Sequence, residues 1–233
     1  MRRSINSETS VTDDKLDPRV VELLCARLCH DLISPVSAIS NGVELIAEMG
    51  ASVSGEAMTL IGGSVGEASR KLQYFRMAFG SARGSSGGSA TLADARAGFL
   101  ELPVGERIRL AWAQSPDLTR NVPREATKMV LNLALSGIDC LLGSGRLEVV
   151  TQAAPQAVRL ELVASGERAK LSDDIAMALS DQANVGELSP KTVTAYYGSY
   201  LARRAAAVLA TDVRPGVVKI SCLIPTAAVT PPG

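Results

Sequence analysis

His30 is the only histidine in the chain, and Asp31 follows it directly within Leu28-Cys29-His30-Asp31-Leu32-Ile33-Ser34-Pro35. An imidazole gains or loses its charge near neutral pH, so it serves as nucleophile, proton carrier or metal ligand, and its neighbours decide which. A carboxylate next to it supplies the acid or base that keeps the ring nucleophilic. Ser34 lies one helical turn further on and can position a water, although a serine there is equally a solvated helix residue. Metal chemistry fits less well. The cysteines at 25, 29, 140 and 222 form no CxxC pair, which excludes a zinc ribbon and a thioredoxin-like motif. Cys25 and Cys29 share a helical face, but His30 projects about 100° away from Cys29 around a helix. The two thiols are expected in the core, and no metal or cofactor ligand set is assigned.

The reactive pair must sit on a helix. Asp17 before Pro18 gives an N-cap with proline at the first helical position, and the apolar periodicity runs to Met49-Gly50. Cys25, Leu32, Ile39 and Ile46 make a heptad seam, filled in by Leu28, Pro35 and Gly42 and widened by Val36 and Val43. His30 falls opposite this seam, in line with Ser37 and Glu44, so it points to water. Pro35 should bend the helix without ending it, because the seam stays in phase beyond it. After a turn near 51–53, a second helix beginning at Ser54 repeats Ile61, Val65, Ala68, Leu72, Phe75 and Phe79 on one face. Two antiparallel helices with stripes this wide cannot cover each other, so a second hairpin is expected to pair with the first, giving a four-helix bundle and a homodimer. Gly62, Gly63 and Gly66 each lower helix propensity by up to about 1 kcal/mol relative to alanine, unless they allow close helix approach.

The H-box of two-component histidine kinases is what His30-Asp31-Leu32-Ile33-Ser34-Pro35 resembles. Together with Tyr74-Phe75-Arg76-Met77-Ala78-Phe79-Gly80 on the second helix, it is similar to the alphaproteobacterial histidine phosphotransferases of the ChpT type, from about Leu16 to Pro225. The resemblance implies that His30 is phosphorylated, with Asp31 as acid or base and Ser34 as a possible support. It also implies that the partners are receiver domains of a hybrid histidine kinase and of response regulators. No intrinsic cofactor is implied, and magnesium is expected on the partner's receiver domain. Antiparallel counting through the turn sets Tyr74 level with His30. A docking patch of Ile33, Ser37 and Asn41 on the first helix with Arg70, Tyr74 and Met77 on the second follows from that register.

Composition narrows the partners further. Twenty-four basic side chains balance twenty-four acidic ones, and no basic stripe is interleaved with aromatics, so no nucleic-acid partner is expected. No apolar run reads as the roughly 20-residue span a bilayer requires, and the polar start lacks a signal-peptide core; the expected location is cytoplasmic, without a membrane partner. The domain plan is a disordered arm at 1–16, a phosphotransfer and dimerisation hairpin at 17–80, a Gly/Ser linker at 81–90, a kinase-like unit at 91–225 and a tail at 226–233. The linker is glycine-rich but has no Lys-Ser or Lys-Thr ending, so it is not a phosphate loop.

Beyond the linker, a helix at Leu92–Leu102, a strand at Ile108–Ala113 and a helix at Pro123–Leu142 precede a strand pair at Arg146–Gln152 and Ala157–Ala164. Helices at Ser172–Gln182 and Ser189–Leu209 follow, then a hairpin of Ala210–Val213 and Val217–Ile224 around Pro215-Gly216. Helices against a mainly antiparallel sheet define an α+β sandwich. Lys128 to Gly137 resembles the N-box helix of the Bergerat-type ATP-binding domain, in which two asparagines four apart serve nucleotide and magnesium. Asn132 matches one and Ser136 replaces the other. Ala164-Ser165-Gly166-Glu167-Arg168 stands where Asp-x-Gly-x-Gly is expected, and the lid region carries Tyr196, Tyr197 and Tyr200 in place of glycines. The kinase-like fold is therefore expected without nucleotide binding, and the function the resemblance implies is that of a phosphorelay phosphotransferase. An ATP-dependent histidine kinase and a non-catalytic dimeric scaffold are the alternatives.

Overall fold

A computed structural model describes residues 15–50, 53–80, 90–114 and 122–226. The arm at 1–16 and the tail at 226–233 lie almost wholly outside the described residues, as does the 81–90 linker.

Helix α1 (Pro18–Met49) begins as its sequence dictates, with Asp17 accepting from the Arg19 amide at 2.8 Å. It runs unbroken through Pro35, and Gly50 closes it at φ +63°. A proline has no N–H for the carbonyl four residues earlier, which here belongs to Asp31. Lys71 of α2 (Ser54–Ala78) donates to that carbonyl at 3.1 Å, and Glu67 holds the same ammonium at 2.6 Å. The defect introduced by Pro35 is thus satisfied from the neighbouring helix, at the residue next to His30. Gly42 sets the approach of the two helices further along, since a Cβ there would lie 2.7 Å from Ile61.

The rest of the chain forms the expected α+β unit. It contains α3 (Leu92–Leu100), β1 (Ile108–Gln114), α4 (Arg124–Cys140), β2 (Gly145–Ala154), β3 (Ala157–Ser165), α5 (Asp173–Leu179), α6 (Val193–Arg204), β4 (Val208–Arg214) and β5 (Val217–Pro225). The sheet order is β1-β2-β3-β5-β4, with β1 parallel to β2 and the other pairs antiparallel. Thr91 and Asp94 form a reciprocal cap at the start of α3. Strand β3 alternates as its sequence does, with Val158, Leu160, Leu162 and Ala164 buried under α4. Helix α6 is shorter at both ends than the expected 189–209 span. Ser189 and Thr192 satisfy each other's backbone in a turn before it, and Ala206 at φ +51° stops it so that β4 can start. A single 3-10 turn at Val185–Glu187 joins α5 to α6.

Two expectations for the hairpin need correction. Cys25 and Cys29 are exposed, whereas Cys140 and Cys222 are buried, with their thiols pushed up to about 12 by burial. The line of α1 that α2 and the sheet unit cover runs through Val20, Leu24, Pro35 and Gly42, leaving both early cysteines off it. Phe75 is also a residue of the chain's own core, stacked on Phe79 at 5.3 Å. Val36 and Val43 of α1 and Val65 and Leu72 of α2 remain uncovered. Helix α1 is long and apolar enough to cross a membrane by length and composition, with mean hydropathy 1.2 over 18 residues. Its exposed side also carries His30, Ser37, Asn41, Glu44 and Glu48, and the helix packs laterally on α2 and against α6.

Candidate phosphoacceptor site

His30 projects from α1 with its side chain 81% exposed. Its Nδ1 lies 3.1 Å from Asp31 Oδ1, and since an ionised carboxylate only accepts, the contact selects the ring tautomer with the proton on Nδ1. Nε2 keeps its lone pair. The other oxygen of Asp31 accepts from Arg27 Nε at 3.0 Å, one helical turn back. Arg27 in turn grips Asp139 of α4 with both terminal nitrogens, Nη1 to Oδ2 at 2.9 Å and Nη2 to Oδ1 at 3.1 Å. This fork is largely buried, with Arg27 and Asp139 side chains only 12% and 16% exposed. Burial opposes the charge on Arg27, but the two carboxylates outweigh it and the guanidinium is held charged more firmly than in water. Burial pushes the Asp139 carboxyl above the usual carboxylate range, against the pull of the Arg27 fork.

A cleft of about 520 Å³ opens beside His30, walled on the far side by Ser189, Pro190 and Lys191 and floored by Arg27 and Asp139. Ser34, Ile33, Ser37 and Asn41 are all exposed on α1, with Ile33 at 62%, and Arg70 is exposed on α2. Tyr74 is not part of that surface. It is fully buried and donates from its hydroxyl to the Leu131 carbonyl of α4 at 2.7 Å, and burial pushes its phenol up. Met77 is half-buried in the packing of α2 on α3, where a Cβ on Gly98 would collide with its methyl group. The face of α2 assigned to docking therefore turns inward at 74 and 77.

The residues that hold the pair were not singled out from sequence. Arg27 stands four before Asp31, an ordinary helical ion-pair spacing, and Pro35 four after it marks the carbonyl that Lys71 satisfies. For Asp139, 112 residues from Arg27, the sequence carries no such signal. The residue that matches the N-box asparagine has a different employment: Asn132 is fully buried, and its amide donates to the Ala78 and Lys128 carbonyls at 2.9 Å each. Ser136 is buried behind it, donating to the Asn132 carbonyl at 3.1 Å.

Comparison with known proteins shows the family. Residues 92–215, more than half of the chain, match the family model described as the histidine phosphotransferase C-terminal domain. Over 183 residues the chain is 34% identical to protein phosphotransferase ChpT of Brucella abortus (strain 2308), covering 78% of this chain and 85% of that protein. A solved bacterial phosphotransferase is similar at 28% identity and a TM-score of 0.75, over 89% of this chain and 98% of that one. The chain belongs to the histidine phosphotransferases, and it is a phosphotransferase of a phosphorelay.

Proposed function

We propose that His30 is the residue that carries the phosphoryl group, taking it from the receiver domain of a hybrid histidine kinase and passing it to receiver domains of response regulators. The observation that supports this most directly is the 3.1 Å contact of Nδ1 with Asp31 on an otherwise exposed ring. The Nε2 lone pair attacks the phosphorus of the incoming aspartyl phosphate, the P–O bond to the receiver's carboxylate breaks, and an Nε2–P bond forms. Nδ1 keeps its proton throughout. Asp31 offsets the positive charge the ring acquires and so acts as its acid–base partner. In the second half, the carboxylate of another receiver attacks the phosphorus and the lone pair returns to Nε2. Magnesium expected on the partner's receiver domain neutralises the phosphoryl oxygens. Ser34, exposed on the next turn, is the candidate to support attack by water.

The docking surface is Ile33, Ser37 and Asn41 of α1 with Arg70 of α2, an apolar and polar mixture beside the reactive ring. The uncovered line of Val36, Val43, Val65 and Leu72 supports a second copy of the chain on that side, completing a four-helix bundle as a homodimer in the cytoplasm. In the domain plan, residues 17–80 carry transfer and dimerisation, and 91–225 is a kinase-like unit that does not use nucleotide. The buried Asn132, with its amide given to Ala78 and Lys128, supports that last reading. Incubation with labelled ATP alone, and separately with a phosphorylated receiver, tests the whole. Label is expected only through the receiver. Label from ATP alone overturns the relay in favour of a kinase, and none in either case leaves a scaffold.

A further inference from the structure

Asp31 divides its carboxylate between two partners, and only one of them belongs to the reaction. Oδ1 meets His30 Nδ1 at 3.1 Å, while Oδ2 is held by Arg27 Nε at 3.0 Å. A carboxylate on an exposed helix face samples several rotamers; this one is fixed because its Oδ2 is tied to a guanidinium that cannot itself move. Arg27 is immobilised by the two-pronged grip on Asp139, which belongs to α4 of the sheet unit and not to the hairpin. Lys71 fixes the other end of the same residue by donating to the Asp31 carbonyl that Pro35 leaves free.

We propose that Asp139 and Arg27 are positioning residues for phosphoryl transfer: through Arg27, the sheet unit sets the orientation of Asp31 and thereby the tautomer of His30. This rests on the reading of His30 as the phosphoryl carrier. Neither residue touches the phosphoryl group. Their part is to hold Oδ1 where it accepts the Nδ1 proton, so that the lone pair stays on Nε2, which faces the partner. A unit whose N-box asparagine is spent on the hairpin still serves the reaction by this route, as a fixed arm reaching the hairpin from outside it. Contacts with α4 secure its placement: the Arg27–Asp139 fork, the Tyr74 hydroxyl on the Leu131 carbonyl and the Asn132 amide on the Ala78 carbonyl.

The single histidine makes the test direct, because a nitrogen-15 spectrum of the full chain contains one imidazole. In the unmodified protein the ring is expected mainly with its proton on Nδ1. Removing one partner alone risks unfolding by leaving a buried charge, so the informative variant is the pair Arg27→Met with Asp139→Leu, which replaces the fork by apolar side chains of similar size. That variant is expected to fold, to lose the Nδ1–H preference toward that of a free imidazole, and to transfer about 10-fold more slowly or worse, by a fall in kcat with the KM for the receiver unchanged. Asp31→Asn should show the same spectral change. A double variant that keeps both the tautomer and the unmodified rate overturns the inference, as does a loss expressed only in KM. The spectrum needs no partner. A protein that never accepts phosphoryl, yet shows the tautomer and loses it in the double variant, therefore overturns the carrier reading of His30 and not the coupling.

Discussion

Helices α1 and α4 meet at the Arg27–Asp139 fork and are otherwise opposites. Helix α1 has 32 residues and buries Val20, Leu24, Pro35 and Gly42. Helix α4 has 17, and from Met129 to Gly137 every residue is buried. A helix enclosed on all sides is the centre of a finished core, whereas one with an uncovered apolar stripe and an exposed histidine on another face has surface left to meet something else. The difference shows where the chain is complete on its own. The sheet unit folds around α4, and the hairpin leans on α4 for its position while keeping both its chemistry and its apolar line outward.

The contrast breaks most easily at the fork. Arg27→Ala leaves Asp139 buried without its ion-pair partner and is expected to cost about 3–5 kcal/mol, read as a lower urea midpoint at unchanged slope. A loss below about 1 kcal/mol would mean that the hairpin and α4 do not depend on this contact. Tyr74→Phe removes one buried hydroxyl and its bond to Leu131 while keeping the ring; the expected cost is about 1 kcal/mol by the same measurement. An effect near zero would place Tyr74 back on a wet surface.

These two residues also show how far the sequence could be read. Element order, the α+β class, the continuity of α1 through Pro35 and the outward His30 were all legible, because each follows from periodicity or from residues within a turn of one another. Tyr74 was misplaced because a helical period shows a stripe but not a neighbour packed on its flank. The level of a residue across the hairpin does not say which way its side chain points: Tyr74 adjoins Phe75 around α2, and α4 covers that flank and takes the phenol. Cys25 and Cys29 failed for a related reason. An apolar heptad says that a stripe exists, but not whether the chain's own second helix or another copy covers it. Asp139 was invisible, since its partner lies in a different unit and nothing local marks it.

A change in the uncovered stripe should separate assembly from folding. Val65→Glu with Leu72→Glu alters side chains that are 46% and 48% exposed, so the chain's own stability should change by no more than about 0.5 kcal/mol per site. Light scattering is expected to show half the mass of the unmodified protein. Phe75 is unsuitable for this purpose, because a charge there would disrupt the core that it shares with Tyr74 and Phe79. A full-mass assembly with both charges in place would move the interface off this face.

The smallest structural effect belongs to the residue with the largest chemical one. The His30 ring is 81% exposed, and its contact with Asp31 Oδ1 leaves Asp31 still paired with Arg27 when the ring is gone. Little area is uncovered and no buried group loses its last partner, so His30→Ala should cost at most about 0.5 kcal/mol. Phosphoryl transfer between two receivers should nevertheless vanish, because in the proposed relay Nε2 is the atom that takes the phosphoryl group. The two measurements must be made on the same preparation: an unchanged urea midpoint with no acid-labile phosphate is the expected pair. A variant that unfolds would make His30 part of the architecture after all, and one that still relays phosphate would place the carrier elsewhere.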